Sequence, residues 1–87
     1  MAESSVNGHF PTSDLELAAS LRASGTPYVG FVWTPNRIAG DFIFEYKPKE
    51  LITAWESHTL MVNARALFSA WNDCRDDLED AKRRRMR

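Results

Sequence analysis

The chain has a single cysteine, Cys74, among its 87 residues. It therefore cannot close an internal disulfide or build a thiolate metal clip, which agrees with a reducing compartment. Long apolar runs are missing too. None approaches the ~20 residues that span a bilayer, and the opening MAESSVNGHF lacks the basic start and apolar stretch of a secretory signal. A cytoplasmic location with no membrane partner is expected. Glycine is scarce, and its four residues at 8, 25, 30 and 40 are isolated from one another, which excludes a glycine-rich phosphate cradle. No charge of one sign dominates: eleven Lys and Arg against twelve Asp and Glu give a formal net charge of −1 and a pI near 6.1. Proteins that coat phosphate backbones have a different balance, so any nucleic-acid contact here has to be local.

What is present is the ordinary material of one small domain. The hydrophobic fraction of 44% is that of a globular chain, and a chain of this length can bury roughly 60–65% of its unfolded surface, enough for a core without staples. Residues 1–10 mix small polar groups without periodicity and read as a mobile lead-in whose one anchor is Phe10. In TSDLELAASLRASGTP, Ser13 and Glu16 form a capping-box spacing that starts a helix. Leu17 and Leu21 lie one turn apart on it, and Ala18 and Ala19 let another element approach closely. Gly25 stops it and Pro27 forbids resumption.

The pattern then changes to β-branched and aromatic residues in PYVGFVW and to alternation in GDFIFEY, which predicts two strands. The TPNR between them suits a loop longer than a two-residue turn, and Gly40 is the expected place for a bulge. KPKELITAWESH sets Leu51 and Trp55 one turn apart after Pro48 and predicts a short second helix. A third, longer helix begins after Asn63 as N-cap, with Val62 and Leu67 as a hydrophobic staple. Its apolar stripe runs Ala64, Leu67, Trp71, Cys74, Leu78 and Ala81, widened by Phe68. The expected fold is α+β: a small antiparallel hairpin packed by three helices in the order α-β-β-α-α. The domain covers residues 11–81, and a basic tail covers residues 82–87.

This order, together with TSDLELAASLRASGTP, FIFEY, the AW of the short helix and VNARALFSAW, resembles a family of small uncharacterised domains from bacterial and phage genomes. The likeness spans residues 11–78, with VNARALF its most distinctive part. It implies a compact α+β fold and a phage or mobile-element origin, and it supplies no catalytic residues. Family members usually end in a basic helix with fewer acids than stand here.

The catalytic inventory is thin. His9 and His58 have no nucleophile or carboxylate at a meaningful spacing and read as surface or loop residues. Cys74 falls on the apolar stripe, where a thiol acts as a small hydrophobe with a raised pKa. Asp76, Asp77, Glu79 and Asp80 spread round a helix as a solvated face and match no calcium loop. The chain is expected to be no enzyme and to need no metal or cofactor.

Two features point outward. The hairpin aromatics, Trp33 and Phe44 among them, exceed what three short helices cover, and a two-stranded sheet has two open edges. A protein partner or self-association, including a dimer, follows. The other feature is the cluster Lys82, Arg83, Arg84, Arg85 and Arg87. Glu79 and Asp80 precede Arg83 and Arg84 by four residues, and cations complement a helix C-terminus, so much of this charge has local use. Five acids (Asp73, Asp76, Asp77, Glu79, Asp80) face six bases (Arg75, Lys82, Arg83, Arg84, Arg85, Arg87) in the last helix, which opposes laying it along a phosphate backbone. The expected function is a non-catalytic protein-interaction module or accessory factor, with Trp33, Phe44, Arg83, Arg84, Arg85 and Arg87 as its surface. The alternative is a nucleic-acid-binding accessory protein that uses the tail for phosphate and the hairpin for stacking.

Overall fold

The first helix, α1 (Leu15–Ala23), starts at Asp14, one residue later than the capping box implies. Asp14 is extended and its carboxylate accepts from the Leu17 N–H at 3.1 Å, while the Thr12 hydroxyl accepts from the Asp14 N–H at 3.1 Å. A carboxylate at this place brings negative charge to the helix N-terminus as well as a hydrogen bond, which is why it displaces Ser13. At the other end Gly25 takes φ +91°. Its N–H donates to Arg22 O and that of Thr26 to Leu21 O, both at 3.0 Å, a Schellman closure that satisfies two terminal carbonyls.

The computed structural model describes residues 8–33 and 40–85, so the TPNR loop lies outside the described residues. Strands β1 (Phe10–Thr12), β2 (Tyr28–Trp33) and β3 (Gly40–Phe44) form a three-stranded antiparallel sheet in the order β1-β3-β2. The expected hairpin is there, but Phe10–Thr12 adds a third strand that the sequence hid behind Pro11. Proline is tolerated because it sits on an edge strand. β3 also stops at Phe44, so Glu45 and Tyr46 leave the expected strand.

The bulge is not at Gly40. Tyr28 pairs with Phe44 and Gly30 with Ile43, so Val29 is the extra residue in β2. This insertion has a packing purpose. Tyr28 and Phe31 are three apart and in a regular strand would point to opposite faces; the bulge returns both to the helix-covered face beside Phe42 and Phe44. Gly30 takes φ +155° there. Gly40 serves a close approach instead: a Cβ on it would lie 2.5 Å from Phe31 Cζ and 2.6 Å from Val32 O.

Helix α2 (Lys49–Glu56) follows Pro48 and buries Ile52, with Leu51 and Trp55 packed partly against the core. It also ends in a Schellman closure, with His58 at φ +63° in the place where Gly25 stands after α1. The Thr59 N–H donates to Ala54 O at 2.8 Å and the His58 N–H to Trp55 O at 3.1 Å. Helix α3 (Ala64–Arg85) starts at Asn63, whose side chain accepts from the Ala66 N–H at 2.9 Å. Its buried positions are Ala70, Cys74 and Ala81, with Leu67, Trp71 and Leu78 packed on the core margin. Phe68 does not widen that stripe. It is 69% exposed, because the helix turns it away from α1. Small Ala18 and Ala19 of α1 are fully buried in the same cluster as Ala70 and Cys74 of α3, the close helix approach that their size predicts.

The fold is α+β, with one layer of helices on one face of the sheet. The core is Leu17, Ala18, Ala19, Leu21, Phe42, Phe44, Ile52, Ala70 and Cys74. No helix among the described residues is long and apolar enough to cross a membrane.

Candidate interaction surface

The alternation of β3 decides which hairpin aromatics can meet a partner. Gly40, Phe42 and Phe44 are buried and face the helices, while Asp41 and Ile43 face away. Phe44 is 0% exposed and meets Tyr28 edge-on at 5.3 Å, so it belongs to the core and not to an interaction surface. The reason is the third strand: β3 is the central strand, covered on one face by helices and flanked on both sides. Trp33 is half-buried, its ring tilted against Phe31 at 5.8 Å. It shares a 230 Å³ hollow with Leu15, Leu78 and Lys82, so the first residue of the basic cluster borders the same hollow as the sheet.

The basic cluster is a helix ending as far as it is described. α3 carries Lys82 to Arg85 on regular helix. Arg84 pairs with Asp80 at 3.0 Å, as its spacing predicts, while Glu79 is engaged by Lys82 at 3.8 Å, three residues on. Arg83 is exposed. Arg87 lies outside the described residues.

A cluster that sequence reasoning missed joins three elements. The Tyr28 hydroxyl donates to Asp77 Oδ2 at 2.8 Å. Arg22, from the last turn of α1, reaches the same oxygen at 3.4 Å and Asp73 at 3.7 Å, and its guanidinium lies 4.0 Å over the Tyr28 ring. Asp77 is thus no part of a purely solvated face. Burial, then the bond to Asp77, pushes the Tyr28 hydroxyl far above its usual range. Arg22 also donates to Cys74 Sγ at 3.7 Å, but burial dominates and raises the thiol, as a core position implies. Partners 49 and 55 residues apart have no local spacing to betray them. This cluster locks β2 against α1 and α3; each polar group in it is engaged, so none stands ready for proton transfer.

His58 lines an open hollow of 440 Å³ with Glu16, Glu56, Trp55 and Leu60. His58 and both glutamates are solvent-exposed, and no hydrogen bond or ion pair joins the imidazole to either carboxylate among the described residues. No group of three or more His, Cys, Asp or Glu that could hold a metal ion occurs among the described residues.

Part of the outward apolar surface lies on the sheet, while Tyr46, Met61 and Phe68, 50%, 90% and 69% exposed, lie off it. Val29 and Val32 of β2 are 52% and 56% exposed, and Ile43 is partly buried on the face away from the helices. Beside β2 runs a third hollow, of 350 Å³, bounded by Tyr28 and Phe31 on one side and by Asp77, Asp80 and Arg84 of α3 on the other. No protein family, characterised protein or solved structure matches this chain.

Proposed function

We propose that the chain is a non-catalytic protein-interaction module or small accessory factor of the cytoplasm, working in the phage or mobile-element setting that its resemblance implies. The observation that carries this is the outer edge of β2: a six-residue strand without proline or charge, with two exposed valines, beside a groove. Such an edge is a template for a further strand from another chain, since main-chain groups supply affinity and neighbouring side chains supply selection. Catalysis finds little support, because the polar groups that cluster are mutually engaged and no hydrogen bond or ion pair among the described residues joins His58 to the glutamates beside it.

The nucleic-acid alternative loses half of its surface. Phe42 and Phe44 are core residues, and Tyr28 and Phe31 pack against them, so a stacking platform has little to build on. Its remaining support is the exposed Arg83 and the cations around it.

The test is a photo-crosslinking residue placed at Val32 in the full chain and expressed in cells, with Glu50 on α2 as the control position. A discrete adduct from Val32 that is missing from Glu50 is the expected result, and its mass identifies what lies at the edge. Equal labelling from both positions, or none from Val32, contradicts an interaction edge. The alternative is tested by anisotropy of labelled oligonucleotides: binding that falls with salt at a slope of about −3 to −5, and is lost on truncation at Ala81, favours it.

A further inference from the structure

The two edges of the sheet are treated differently, and hydrogen-bond alternation shows how. The Glu45 N–H donates to Pro27 O at 3.0 Å, so the ladder between β2 and β3 starts with a bonded pair there. Alternation then makes Tyr28–Phe44 and Phe31–Phe42 the non-bonded pairs. The main-chain groups of Phe42 and Phe44 consequently point to β1, where their partners are Thr12 and Phe10. Pro11 falls opposite Ile43, at the one place in β1 whose N–H would face outward. That edge is three residues long and closed by the residue that has no donor to offer. On β2 the same alternation turns the N–H and C=O of Tyr28 and Phe31 outward, towards the hollow beside α3, and no hydrogen bond among the described residues engages them.

We propose that this open edge takes the β2 edge of a second copy of the chain, antiparallel, giving a twofold dimer with one continuous six-stranded sheet. The proposal rests on the protein-interaction reading above and names the partner. Charge complementarity selects a second copy over an unrelated strand. Along α3 the acids cluster from Asp73 to Asp80 and the bases lie late, from Lys82 to Arg85, with Arg65 and Arg75 the exceptions. A twofold axis through the β2 edges, normal to the sheet, runs the two α3 helices antiparallel. The acidic turns of one copy then face the basic turns of the other. Asp77, Asp80 and Arg84 already line the groove beside the edge, and the Asp80–Arg84 ion pair within each copy, whose side chains are 53% and 69% exposed, exchanges partners across it in the dimer. The small net charge of −1 adds little repulsion between copies.

The test is sedimentation equilibrium of the full chain from low micromolar to millimolar concentration, at low and high salt. The expected mass rises from 9.9 kDa towards twice that value, with weaker association at high salt. Three variants read the geometry. A synthetic chain with an N-methyl group on Phe31 keeps every side chain but loses the outward donor, and it should remain monomeric with an unchanged circular dichroism spectrum. Arg84→Glu should weaken association about tenfold, the order expected of one lost interfacial charge pair. Adding Asp80→Arg to it restores complementarity and should recover most of the loss. A chain that stays monomeric throughout, or a dimer indifferent to the N-methyl group, overturns the proposal. If a monomer still yields a Val32 adduct of another protein, self-pairing is wrong and the interaction edge stands; a monomer with no such adduct removes both.

Discussion

Thr26 lies just past the end of α1, buried, with a hydroxyl oxygen that has no hydrogen-bond partner among the described residues. An unsatisfied buried hydroxyl is a cost that an isosteric apolar group avoids, so Thr26→Val should raise stability by about 1 kcal/mol, read as a shift in urea midpoint at unchanged slope. A loss of stability instead would mean that the hydroxyl is satisfied. Cys74 and Tyr28 give the pH dependence. Both are neutral when protonated, and the fold raises both above their ordinary values of 9.0 and 10.0, chiefly by burial. The folded state therefore holds these protons more tightly than the unfolded chain. Their contribution is complete below about pH 9 and is lost as pH rises through the folded values. The urea midpoint should be lower at pH 10 than at pH 8, and Tyr28→Phe should shrink that difference. A midpoint that is flat or rises across this interval contradicts the assignment.

At the scale of the element, the two glycines of the hairpin make opposite demands. Gly30 has open space where a Cβ would go but a backbone angle that side chains resist, so Gly30→Ala should cost about 1–2 kcal/mol through conformation alone. Gly40 has no such angle but no space, and because the neighbour at 2.6 Å is the Val32 carbonyl oxygen the strand itself has to move. Gly40→Ala should cost about 1–3 kcal/mol and disturb the amide resonances of Phe31 and Val32, whereas Gly30→Ala should leave the Phe31 ring in place. The same residues show how legible the elements were. Both strands of the hairpin, the helix stop at Gly25 and the start at Asn63 are local matters of periodicity and capping, and the sequence shows them. The bulge was misplaced because a glycine marks either an unusual angle or a close approach, and only the partner strand tells which. β1 was invisible because three residues with a central proline have no strand signal of their own. Of the expected surface residues, Phe44 turned inward once β3 became the central strand, and the Arg22, Tyr28 and Asp77 cluster appeared only when three distant elements met.

The whole molecule measures 40 × 34 × 19 Å. Its shortest extent is near that of one sheet plus one helix layer, about 10 Å apart, and no element among the described residues stacks on the far face of the sheet. A slab of this kind protects one edge with Pro11 and leaves the other open, and the open edge is where association is expected. The measurement that tests this most directly is amide hydrogen exchange of the intact chain followed by NMR across protein concentration. The outward N–H groups of Tyr28 and Phe31 should exchange quickly in dilute solution and slow steadily as concentration rises. The Val32 N–H, which points into the ladder towards Asp41, should be protected throughout. If Phe31 exchanges at one rate over the whole range, the β2 edge does not receive a second copy.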